Sequence, residues 1–173
     1  MSKTRIFSVV GARPQFVKAA IVSQALEKYP NVEHAIVHTG QHYDQNMSDV
    51  FFEELGMPAP AFNLHISASG HGAMTGRMLE ALEKLYIDEK PDVVVVYGDT
   101  NSTLAGALAA AKIHLPLAHV EAGLRTGDIA SPFPEEANRR LLGQITSLHL
   151  CPTGRSRDNL LREAFDPTTI LVT

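Results

Sequence analysis

Four consecutive valines, residues 93–96, restrict this 173-residue chain to few folds. They lie between a launching Pro91-Asp92 and a turn, Gly98-Asp99-Thr100-Asn101. An unbroken β-branched run of strand length has no polar side to offer water, so both faces of that strand must be covered. A strand with one wet face would alternate polar and apolar residues instead. Coverage on both faces is the condition of a parallel sheet sandwiched between helices.

The remainder of the chain supplies those layers. Residues 5–10 (RIFSVV), 33–38, 117–120, 148–151 and 170–172 read as further strands, and 61–64 as a short edge strand. Between them, apolar residues recur at helical spacing. One helix begins at Pro14 and carries Phe16, Val17, Ala20, Ile21 and Ala25. Others are expected over 47–55, 72–89, 102–112, 134–147 and 154–164. The alanines and Gly106 of the 102–112 helix would let it lie close against the sheet. Strand and helix alternate with connections long enough for right-handed crossovers, which predicts a doubly wound, Rossmann-like α/β fold with a parallel sheet.

The length suits one domain with a sizeable core. Net charge is -4 with pI near 6.0, which gives no support for a nucleic-acid binder with its usual basic face and leaves room for a local basic pocket. Cys151 is the single cysteine, so no internal disulfide forms, and its apolar run, residues 148–152, makes it a buried small hydrophobe. The N-terminus lacks the apolar run of a signal peptide, and the stretches 93–96 and 104–111 are too short to span a bilayer. The expectation is a cytoplasmic protein with neither a membrane nor a nucleic acid as partner.

In such sheets ligands bind beyond the carboxyl ends of the strands. The residues there are Gly11-Ala12-Arg13, Gly40-Gln41-His42, Gly98-Asp99-Thr100-Asn101 and Glu121-Ala122-Gly123-Leu124-Arg125. No G-x-G-x-x-G follows the first strand, and no P-loop or G-x-S-x-G elbow occurs. What is left is a set of acids with a basic pair, Arg13 and Lys18, an inventory that fits acid/base chemistry on an anionic substrate. Each residue has a plainer reading as well. Asp99 fits equally as a cap of the following helix. Glu135 and Glu136 would complement a helix dipole, and Glu135 could pair with Arg139 one turn on. Arg13 and Lys18 could be surface charges. Glu121 is the least easily set aside, since an acid directly after an apolar strand is costly to bury. The eight histidines form no metal-ligand pattern: His38 and His42 straddle a strand end, and His65 and His71 lack matching ligands.

Several long segments carry a resemblance. GARPQFVKAA (11–20), TGQHYDQNMSDVFFEELGMP (39–58), KPDVVVVYGDTNSTLAGALAA (90–110), HVEAGLRTGD (119–128) and SPFPEEANRRL (131–141) resemble the non-hydrolysing UDP-N-acetylglucosamine 2-epimerases. The resemblance implies the N-terminal half of a glycosyltransferase-B-type, two-domain architecture that interconverts UDP-GlcNAc and UDP-ManNAc without a cofactor. It implies C2 deprotonation, expulsion of UDP to leave a 2-acetamidoglucal, re-addition of UDP and reprotonation on the other face. By match of position, Asp99, Glu121 and Glu135 are the catalytic acids, with Asp99 and Glu121 also contacting substrate. Arg13 and Lys18 are the substrate-binding cations, and Gln41 and His42 belong to a second, activating nucleotide-sugar pocket. Around Asp44 and residues 69–71 the sequence departs from the forms associated with that pocket. The GARPQ and TGQHYDQNM wording leans toward a branch that includes epimerases of modified UDP-sugars. The resemblance further implies a UDP-sugar substrate, a homodimer in the full-length form, and a nucleotide-binding second half absent from residues 1–173. The domain alone is expected to be inactive. Two alternatives stand beside it: a nucleotide-sugar-binding module without catalysis, and half of a hydrolysing epimerase that releases UDP and ManNAc.

Overall fold

The computed structural model describes residues 3–40, 59–68 and 70–173. The elements run β1 (Thr4–Val10), α1 (Arg13–Leu26), β2 (Val32–His38), β3 (Phe62–Asn63), α2 (His71–Glu89), β4 (Val93–Tyr97) and α3 (Asn101–Lys112). They continue with β5 (Leu117–Val120), α4 (Glu135–Ile145), β6 (Leu148–Cys151), α5 (Gly154–Arg162), a 3-10 turn (Pro167–Thr169) and β7 (Ile170–Val172). All strand pairs are parallel, in the order β3-β2-β1-β4-β5-β6-β7. This is the doubly wound sheet expected from the valine run. The helix expected over 47–55 lies outside the described residues.

The valines are covered as their sequence demands. Val94 and Val96 point to one face, where they meet Phe7, Val9, Met78 and Leu82 under α2 and α3. Val95 and Tyr97 point to the other and pack with Phe16, Ala19 and Ala20 of α1. Helix α3 lies close because its small residues allow it: a Cβ on Gly106 would come within 3.2 Å of Val9. Cys151 is fully buried, and burial raises its thiol above the usual value.

Four helix starts differ by one residue from expectation, with α1 opening at Arg13 and α2 at His71, each one residue early. Helix α3 opens at Asn101, and its cap is Thr100, whose hydroxyl accepts the Thr103 N–H. Asp99 is therefore not the cap. Helix α4 begins at Glu135 and not at Pro134, which takes the cap position.

The tips of β1 and β4 are joined through one side chain. Gln15 is only 2% exposed. Its Oε1 accepts the N–H groups of Gly11 (2.7 Å) and Ala12 (2.9 Å), and its Nε2 donates to the Tyr97 carbonyl (2.7 Å) and Thr103 Oγ1 (2.9 Å). Glutamine thus answers orphan donors at the start of α1 and shares with the Thr103 hydroxyl the acceptor at the end of β4. Replacing it by Leu keeps the volume and strands the two N–H groups. We expect Gln15→Leu to lose about 2–4 kcal/mol. That loss would appear as a lower urea midpoint at unchanged slope; an unmoved midpoint would show that water replaces the amide.

Candidate functional site

The sheet order reverses direction between β1 and β4, and this opens a crevice beyond their carboxyl ends. Asp99 follows β4 there. Its Oδ2 accepts a hydrogen bond from Arg139 Nε at 2.8 Å and forms an ion pair with Arg139 Nη2 at 2.6 Å. Asn138 Nδ2 donates to its carbonyl at 2.7 Å. Among the described residues nothing bonds Asp99 Oδ1.

Glu121 stands at the tip of β5, next in the sheet. Its backbone is left-handed, φ 69°, a conformation that costs a non-glycine residue about 1 kcal/mol or more. This turn brings its carboxylate over the β4 tip, since a Cβ on Gly98 would lie 3.3 Å from Glu121 Oε2. The same oxygen takes an ion pair from Lys18 of α1. Side-chain exposures of 34% for Lys18 and 28% for Glu121 leave the pair facing the open crevice. The cost of an unpartnered buried acid therefore does not arise at Glu121. Arg13, exposed, is the first residue of α1 at the same end of the sheet.

Glu135 and Glu136 part company. Glu135 is half-buried at the start of α4. Glu136 has no exposed side-chain surface and accepts the Thr126 N–H (3.1 Å), Arg139 Nη1 (3.2 Å) and Arg140 Nε (3.2 Å). Burial pushes its carboxyl up, but these three donors outweigh burial and hold it below the ordinary value. Arg139 is shared between Asp99 and Glu136, so the pairing of Glu135 with Arg139 suggested by spacing does not form. Gln41 and His42 lie outside the described residues. Among the described residues no three His, Cys, Asp or Glu side chains are grouped to hold a metal ion, and no helix is long and apolar enough to cross a membrane.

His119 completes the support. It is buried in β5 and bonds the Gly98 carbonyl through Nε2 at 2.6 Å. A carbonyl only accepts, so Nε2 carries the hydrogen. Burial pulls His119 down to about 4, against the opposing bond to Gly98, and pulls His38 down to about 4 as well. In the unfolded chain both protonate near pH 6.5. Between these values the unfolded state binds more protons, so the stability is complete above roughly pH 6.5 and declines as pH falls toward 4. At roughly pH 5 the two should together remove about 4 kcal/mol of the neutral-pH stability. Urea melts at the two pH values measure this, and His119→Asn should flatten the dependence.

Sequence reasoning missed Gln15, Glu136 and Arg139 as organisers of this site. The i, i+3 and i, i+4 spacing of Glu136 with Arg139 and Arg140 was the available signal for the last two.

The geometry defines a class first: a doubly wound α/β domain whose switch-point crevice is lined by Asp99 and Glu121 and backed by cations. Residues 24–173 match the family described as UDP-N-acetylglucosamine 2-epimerase, and the chain belongs to that family. It is 52% identical over 162 residues to a Pseudomonas aeruginosa UDP-2,3-diacetamido-2,3-dideoxy-D-glucuronate 2-epimerase, covering 94% of this chain and 45% of that protein. It is 49% identical to the UDP-N-acetylglucosamine 2-epimerase of Methanocaldococcus jannaschii, covering 95% of this chain and 44% of the relative. The crystal structure of the M. jannaschii enzyme in complex with UDP-GlcNAc and UDP superposes with TM-score 0.93 at 47% identity, over 98% of this chain and 46% of that one. The chain thus spans about half the length of the relatives it matches.

Proposed function

We propose that this chain is the N-terminal half of a two-domain UDP-GlcNAc 2-epimerase. The observation that carries the reading is the Glu121 carboxylate, paired with Lys18, standing over Gly98, the residue that leads into Asp99. In this reading the sugar ring lies over those acids and Glu135, and Arg13 and Lys18 face the diphosphate. One carboxylate takes the C2 proton, the C–H electron pair forms the C1–C2 double bond, and the C1–O bond breaks with its electrons leaving on UDP. UDP then adds back at C1, and a second acid protonates C2 from the opposite face. Lys18 has a role before chemistry too. When an anionic substrate takes its charge, the Glu121 carboxylate is released to act. The complete protein is proposed to be a cytoplasmic homodimer that needs no cofactor.

The test is UDP-GlcNAc in deuterated water with the complete protein. Deuterium at C2 of a mixture of UDP-GlcNAc and UDP-ManNAc supports the reading; free ManNAc with UDP would indicate hydrolysis, and binding without exchange a non-catalytic module. Residues 1–173 alone should show negligible epimerisation, because half of the transition-state contacts are absent. Robust turnover by that domain would overturn the two-half arrangement.

A second reading concerns the sugar. The 52% identity to a diacetamido-glucuronate epimerase, beside 49% to a UDP-GlcNAc epimerase, makes a UDP-2,3-diacetamido uronate the competing substrate. The ratio of kcat/KM for the two sugars decides it.

A further inference from the structure

Arg139, in the second turn of α4, touches two carboxylates at once. Nε and Nη2 both reach Asp99 Oδ2, and Nη1 reaches Glu136 Oε2. Arg139 is 15% exposed in its side chain and Glu136 not at all. Arg139 thus holds Asp99 through Oδ2 alone, by one hydrogen bond and an ion pair, and no described residue bonds Oδ1. Asn138, the preceding residue, holds the backbone carbonyl of the same aspartate. Two successive side chains of α4 therefore clamp Asp99 at main chain and side chain together.

Glu136 is itself immobilised. It receives the Thr126 N–H and Arg140, and Arg140 bonds Glu163, which also takes a forked pair from Arg125. The line Asp99–Arg139–Glu136–Thr126 thus ties the tip of β4 to the loop that follows β5. An arginine that only neutralised Asp99 would need no second, fully buried acceptor. Here that acceptor holds the guanidinium from its other edge, so the direction from which Asp99 Oδ2 is approached is set as well as its charge.

We propose that Arg139 is a positioning residue for the step carried out by Asp99, with Glu136 as its fixed support. It holds Oδ2 so that Oδ1 faces the sugar. Arg139 does not exchange the proton itself, because its guanidinium stays charged. This rests on the epimerase reading, in which Asp99 touches the substrate.

The experiment compares Asp99→Asn, Arg139→Ala, Arg139→Lys, Glu136→Gln and the Asp99→Asn/Arg139→Ala double variant in the complete enzyme, each checked for fold by circular dichroism. Arg139→Ala should lower kcat about 10- to 100-fold with KM within about 3-fold. Arg139→Lys should recover little, since one ammonium makes no fork. Glu136→Gln should lower kcat in the same direction at near-constant KM. Guanidinium ion added to Arg139→Ala should restore part of kcat, and should restore none in the double variant. The double variant should fall no more than about 3-fold below Asp99→Asn.

Unchanged kcat in Arg139→Ala, with Asp99→Asn inactive, overturns the positioning role alone. Losses that multiply in the double variant, without rescue by guanidinium, do the same. Normal turnover by Asp99→Asn removes the epimerase role of Asp99 and the proposal with it.

Discussion

Asp99→Asn in the complete enzyme is expected to reduce kcat by about 10²–10⁴-fold while leaving the fold intact. The substitution is nearly isosteric, and the side-chain oxygen of asparagine still accepts from Arg139. What disappears is a group able to take up and return a proton. Glu121→Gln and Glu135→Gln should lose rate on the same scale under the proposed reaction. Glu121→Gln carries an additional signature, because the ion pair with Lys18 is lost. Lys18 is then unpaired before substrate arrives, so KM should fall or hold even as kcat collapses. Turnover numbers with UDP-GlcNAc, and deuterium exchange at C2, measure all three. Any variant that keeps a near-normal rate is not an acid or base in the reaction.

The largest expected effect on stability is at Gly123. Its φ is 81°, and a Cβ there would lie 2.3 Å from the Ser156 carbonyl oxygen and 2.8 Å from the Ser156 carbonyl carbon. These are backbone atoms of α5, so no rotamer change relieves the clash. Asn159 Nδ2 also donates to the Gly123 carbonyl at 2.9 Å, which pins the loop to that helix. Gly123→Val should cost about 4 kcal/mol or more. For a chain of this size that corresponds to a melting temperature lower by roughly 10 °C. Gly127 is the control. Its φ is 89°, but a Cβ there meets nothing within 4 Å. Gly127→Ala should cost only the left-handed penalty, about 1 kcal/mol. Equal losses at the two positions would mean that backbone strain, and not the approach of α5, fixes the loop.

The sheet and the chain order of its elements were legible because the signals are local: a β-branched run, glycines at strand ends, helical spacing of alanine and leucine. The site was legible only as a set of candidates. Asp99 and Thr100 are both good capping residues, and which one caps α3 depends on the turn after Gly98. Glu135 and Glu136 are chemically identical neighbours in the first turn of α4. Only the face that α4 presents to residue 126 buries one and leaves the other near the surface. The left-handed turn at Glu121 has no sequence signal, because the residue is not glycine. Gln15 sits within a run that looks like any helix start, and its partners at Tyr97 and Thr103 are more than eighty residues away.

Gln15 also determines which parts of the crevice can move separately. One amide joins the turn that carries Arg13 to the strand end that leads into Asp99, so these two stretches behave as a single stiff jaw. A ligand that pushes on the cationic side carries the acidic side along with it. The spacing between the turn at Arg13 and the turn at Asp99 is therefore set by the fold itself, before anything enters the crevice.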